Sequence, residues 1–111
     1  MHIGKLIADW LPIALGVIMI GAGVVNLLGP KSVCESFKRW GYPASFHRVT
    51  GALEVVVGLL LLFPPSSRVG AIGSVVILLA ATMTLIRHRE WAHLPGAGIL
   101  LATAVAATIY G

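Results

Sequence analysis

Glu54 is the one ionisable residue in Val49 to Phe63, an otherwise apolar run with Thr50 as its only other polar side chain. A charge held mid-bilayer on such a segment costs about 2.5–3.5 kcal/mol unless it is satisfied. Two kinds of chemistry justify a carboxyl there. It can hydrogen-bond a neighbouring helix, with Asn26 or a threonine as partner, or it can take up a proton or hold the polar head of a lipid-soluble ligand. Gly51, Glu54 and Gly58 recur at intervals of three and four, so the carboxyl lies on a small-residue face that should point inward. Asn26, His47, Thr84, Arg87 and His88 are the other candidates for a shared proton or ligand site, because an up-and-down path through the apolar segments brings them to the same half as Glu54.

Those segments dominate the chain. Hydrophobic residues make up 58% of 111 residues and charged ones 11%, outside the range of soluble domains. Four stretches, residues 7–28, 46–63, 69–86 and 94–110, approach the roughly 20 residues that a bilayer core requires. The predicted fold is therefore all-α: one integral membrane domain, a bundle of four transmembrane helices. Between the first two spans, Val33, Phe37 and Trp40 recur at helical spacing between Pro30 and Gly41, which predicts a short interfacial helix. The first span is too long for a secretory signal and lacks an Ala-x-Ala-like site at its end.

Lys31, Lys38, Arg39 and Arg48 cluster around the connection between spans one and two, and Arg87 and Arg89 follow span three; Lys5 and Arg68 lie opposite. The positive-inside rule then places loops 29–45 and 87–93 in the cytoplasm and both termini outside. The basic balance answers to anionic membrane lipids, since no basic stripe with interleaved aromatics suggests nucleic acid. Cys34 is the single cysteine, so the chain has no internal disulfide or dithiol pair. The spacing of His88 and His93, five apart across a helix end, is poor for a metal pair, and no metal site is assigned.

Small residues predict where helices approach closely. Gly98, Ala102 and Ala106 mark one face of span four, Gly70 and Ser74 one of span three, and Gly51 with Gly58 a seam on span two. Gly21-Ala22-Gly23 lies inside an apolar span with no strand before it, which makes it a packing feature and not a nucleotide loop. Trp10, Trp91 and Tyr110 read as membrane-belt residues, and Lys5 with Asp9 as a weak surface pair.

Gly41-Tyr42-Pro43 after an aromatic and basic segment, Gly51-Ala-Leu-Glu54-Val-Val-Val-Gly58, Leu60-Leu-Leu-Phe63-Pro64, Arg68-Val-Gly70-Ala71 and Arg87-His88-Arg-Glu90 together resemble the DoxX-like family. The resemblance extends from Asn26-Leu27-Leu28-Gly29 through span four and implies a four-helix protein of the prokaryotic cytoplasmic membrane, with Glu54 at the family's second-helix glutamate. The wider group is linked to thiosulfate and quinone oxidoreduction and to oxidative-stress complexes, so the resemblance implies a quinone-linked or redox-complex membrane subunit. Many relatives resemble Thr-His-Leu-Arg near the end of the third helix, where this chain has Thr84-Leu85-Ile86-Arg87. The alternative is a non-enzymatic scaffold that binds lipid, a second copy of itself or a membrane redox partner. Whether the chain is an enzyme is left open by these residues.

Overall fold

The computed structural model describes residues 2–110. Five α-helices follow one another: α1 (His2–Leu28), α2 (Lys31–Arg39), α3 (Phe46–Leu62), α4 (Ser67–Arg87) and α5 (Leu94–Tyr110), with a 3-10 turn at Pro64–Ser66 before α4. The breaks fall where backbone chemistry demands them. Gly29 and Gly41 adopt φ of +60° and +83° on either side of α2, a region that favours glycine. Pro64 and Pro65 stop α3, and the Ser66 hydroxyl donates to the Leu60 and Phe63 carbonyls at 2.9 and 3.2 Å, satisfying acceptors at the end of that helix. The helix of the first span begins five residues before the predicted apolar boundary at Ile7 and continues through buried Pro12. Hydropathy marks where apolar residues start, whereas backbone hydrogen bonding carries the helix through Lys5 and its neighbours.

α1 packs against α3 through a pair of glycines on each helix. A Cβ on Gly16 would lie 2.9 Å from the Gly58 carbonyl oxygen, and one on Gly23 would lie 2.6 Å from the Gly51 carbonyl oxygen. The glycines are seven apart on both helices, so the two antiparallel backbones meet twice, two turns apart. Gly70 brings α4 equally close to α3, its missing Cβ 2.8 Å from the Val57 oxygen and the Leu61 nitrogen. Ser74, fully buried one turn on, returns its hydroxyl to the Gly70 carbonyl at 2.9 Å and presents no unmet polar group to the core. Leu15, Met19, Val57, Leu61, Ala71 and Leu78 fill the centre, and α5 closes it with Ala104 and Ala107.

The expected contact face of α5 is different from the observed one. Ala104 and Ala107 are buried, whereas Ala102 is exposed and a Cβ on Gly98 would meet nothing within 4 Å. Nearly every side of this helix is apolar and small, so periodicity alone does not rank its faces. Lys5 and Asp9 also form no ion pair; among the described residues the ion pairs are Lys31–Glu35 and Arg39–Glu90.

The outward faces are as apolar as the core. Val17, Val56, Leu59, Val76, Met83 and Ile99 are each more than half exposed. Two helical segments, Ile3–Leu28 and Pro64–Arg87, are long and apolar enough to cross a membrane, with mean hydropathies of 2.2 and 2.3. α3 and α5 are shorter, at 17 residues each.

Candidate functional site

α2 is the element that gives one end of the molecule its shape. None of its residues is fully buried, so little packing holds it. Aromatic and polar contacts hold it instead. Phe37 lies against Trp40, Tyr42, Phe46 and His47, with ring centroids 5.4 to 6.3 Å apart, and Tyr42 stacks on Phe46 at 4.9 Å and 16°. Arg39 donates its Nε–H to Glu90 Oε2 at 2.9 Å and sets Nη2 2.9 Å from the same oxygen as an ion pair, and the Trp40 indole N–H reaches that oxygen at 3.4 Å. Thr84 gives its own proton to the Ala80 carbonyl at 2.9 Å, so Tyr42 is the donor in the 2.7 Å bond between the Tyr42 and Thr84 hydroxyls. These contacts put the α1–α3 connection and the α4–α5 connection at the same end of the molecule.

Beneath this roof lies a cavity of about 410 Å³ between α3 and α4. Its walls are mostly apolar: Phe46 and Leu53 on α3, Val76, Ala80, Ala81 and Leu85 on α4, with Phe37, Trp40 and Tyr42 above. Leu53 and Val76 line it and are 51% and 63% exposed, so it opens on the outer surface between the two helices. The polar part is confined to Asn26, Thr50, Glu54 and the Tyr42–Thr84 pair. Glu54 is 7% exposed and accepts a hydrogen bond at Oε1 from the Asn26 side-chain amide. The α1–α3 glycine seam positions this bond, since Gly23 and Gly51 flank it and let the two backbones come within its reach.

Three of the six residues singled out from sequence line this cavity: Asn26, Glu54 and Thr84. The other three stand apart from it. His47 is buried behind the roof, with Nε2 3.9 Å from Cys34 Sγ and pressed against Gly29, where a Cβ would lie 2.6 Å from that nitrogen. Arg87 is exposed at the end of α4, and His88 follows it as the C-terminal cap, its backbone N–H bonded to the Thr84 carbonyl. Leu85 occupies the cavity wall at the position where the resemblance implies a histidine in relatives. The aromatic roof was readable only as an interfacial helix. Phe37 and Trp40 show helical spacing, but nothing in the sequence links Tyr42 to Thr84 or Arg39 to Glu90.

Glu90 is the fastening point of the roof. Its side chain is 15% exposed; this partial burial acts to raise its pKa, but the hydrogen bonds from Arg39 and Trp40, with the charges of Arg39 and His93, hold it below the ordinary glutamate value. A lowered folded pKa means that the stabilisation is present above the unfolded value and lost as pH falls through the folded one. The α2 contacts should accordingly persist from neutral pH to below about 4.3 and loosen only in stronger acid. Arg39→Glu should loosen α2 at neutral pH, and Arg39→Glu with Glu90→Arg should re-form the contact. Amide hydrogen exchange of residues 31–40 measures both, and equal protection in wild type and Arg39→Glu would count against this role.

The family model described as the DoxX-like family matches residues 10–107. No curated protein and no solved structure matches the chain.

Proposed function

This chain belongs to the DoxX-like family, and on that premise we propose that it is a four-span protein of the cytoplasmic membrane that holds a lipid-soluble ligand against Glu54, as a quinone-linked or redox-complex subunit. The outward apolar faces support the membrane placement, because a soluble chain would not leave Val17, Leu59, Val76 and Ile99 more than half exposed around its whole girth. α3 and α5 each rise about 26 Å over 17 residues, and Phe63 beyond the end of α3 extends its apolar run toward the roughly 30 Å of a hydrocarbon core. The common end that carries Lys38, Arg39, Arg87 and Arg89 then faces the cytoplasm.

The observation that carries the ligand reading is the cavity: apolar walls, an opening on the outer surface between Leu53 and Val76, and a buried carboxyl–amide pair inside. That combination suits an amphiphile arriving sideways from lipid with its tail toward the opening and its polar head toward Asn26 and Glu54. The protein's own residues bind and orient the head; any electron transfer belongs to a partner in the membrane.

Mass spectrometry of small molecules copurifying with gently extracted protein tests this. A quinone or another defined amphiphile should accompany wild type and be lost from an equally stable Glu54→Gln variant. Bulk lipid alone in both would overturn the ligand reading in favour of a scaffold that binds lipid or partner helices.

A further inference from the structure

The cavity contains a hydroxyl that the fold itself does not use. Thr82, Thr84, Thr103 and Thr108 each return their hydroxyl to the carbonyl four residues back, at 2.7 to 2.9 Å, the usual arrangement for threonine within a helix. Thr50 also sits within a helix, yet its hydroxyl has no hydrogen-bond partner among the described residues, and the residue lines the cavity. Glu54, one turn further along the same face, uses Oε1 for Asn26, and its second oxygen, Oε2, has no partner among them either. In a mostly apolar cavity these two unused groups belong to lining residues one helical turn apart.

We propose that Thr50 and Glu54 Oε2 together recognise a hydroxyl group, and that the ligand of this site is a planar ring bearing one, of the phenol or hydroquinone class. The inference rests on the ligand-binding reading above. Side chains four apart on a helix have Cβ atoms about 5–6 Å apart, which leaves room for one oxygen at about 2.7–2.8 Å from each polar atom. A hydroxyl meets both needs at once: it donates to the carboxylate and accepts from Thr50. A carbonyl or an ether only accepts, and would set a lone pair against the oxygen of an ionised Glu54, whereas a hydroxyl pairs with that carboxyl in either charge state.

The shape of the cavity favours a ring behind that hydroxyl. Tyr42 and Phe46, stacked at 4.9 Å, form a flat aromatic surface on one side, while Ala80 and Ala81 on α4 leave space beside it. A flat ring has room along such a surface, and a branched aliphatic head does not share its shape.

The probes are 2-naphthol and 2-methoxynaphthalene, the same ring with and without the donor proton, titrated calorimetrically into the full chain in lipid nanodiscs with empty nanodiscs as the blank. Wild type should bind the naphthol about tenfold more tightly than the ether, and Thr50→Val, which has the same shape and breaks no bond of the fold, should reduce naphthol affinity several-fold while leaving the ether unchanged. Comparing wild type with variant for each probe cancels partitioning into the bilayer. Equal binding of the two probes, or an unaltered naphthol affinity in Thr50→Val, overturns the hydroxyl assignment and leaves the cavity a ligand site. Binding of neither probe above the blank overturns both.

Discussion

Gly51→Ala should destabilise the protein by about 3 kcal/mol, the upper end for overpacking, although the substitution adds one methyl group and raises helix propensity. The added Cβ would lie 2.6 Å from the Gly23 carbonyl oxygen and 2.8 Å from the Leu27 backbone nitrogen. Both neighbours are backbone, so no rotamer change makes room, and α1 must move away from α3. That movement separates the Gly16–Gly58 contact two turns away and draws Asn26 from Glu54, so the loss spreads along the seam. Gly98→Ala is the matched control, since a Cβ there meets nothing within 4 Å and the propensity gain is unopposed. Equilibrium unfolding of the two variants in mixed detergent micelles measures the difference. If Gly51→Ala unfolds at the wild-type midpoint, the helices are not held at the observed separation.

The same seam shows which parts of the structure the sequence made legible. Gly51, Glu54 and Gly58 are a local pattern on one helix, and their spacing was enough to place the carboxyl on an inward face. Pro30, Gly41 and the prolines after Phe63 were likewise enough to bound the helices, because the constraint acts on the residue that carries it. The resemblance to the DoxX-like family could be read from short motifs in order and is matched by the family model over residues 10–107. The partner glycines on α1 carry the same seven-residue interval, Gly16 to Gly23, although the nearby Gly21, where a Cβ would meet nothing within 4 Å, blurs the pattern. α5 was different in kind: when Gly98, Ala102, Ala104, Ala106 and Ala107 are all small, helical rotation is decided by what α1 and α4 leave open. The roof over the cavity was out of reach for another reason. Tyr42 and Thr84 are 42 residues apart and Arg39 and Glu90 are 51 apart, and neither pair leaves any periodic trace.

Replacing Asn26 by leucine should cost about 2–3 kcal/mol, because the Glu54 carboxyl keeps its buried position and loses its donor. Glu54→Leu should also destabilise, by about 1–3 kcal/mol, since it leaves the Asn26 amide facing an apolar neighbour. The double variant removes both polar groups together and should recover about 2 kcal/mol relative to the sum of the single changes. Additive losses would mean that the two side chains do not depend on each other, and would sink the assignment of this bond as the polar link between α1 and α3. The cycle also separates the two reasons for keeping a carboxyl in an apolar helix. If the pair existed only to fix packing, an apolar replacement of both groups could serve as well, as buried polar pairs in other proteins have been replaced without loss. If it exists to hold the head of a ligand, the double variant will be folded and will no longer retain what copurifies with wild type. Stability and ligand retention measured on the same four proteins therefore distinguish a helix fastener from a binding group, and the opening of the cavity beside Glu54 predicts the second result.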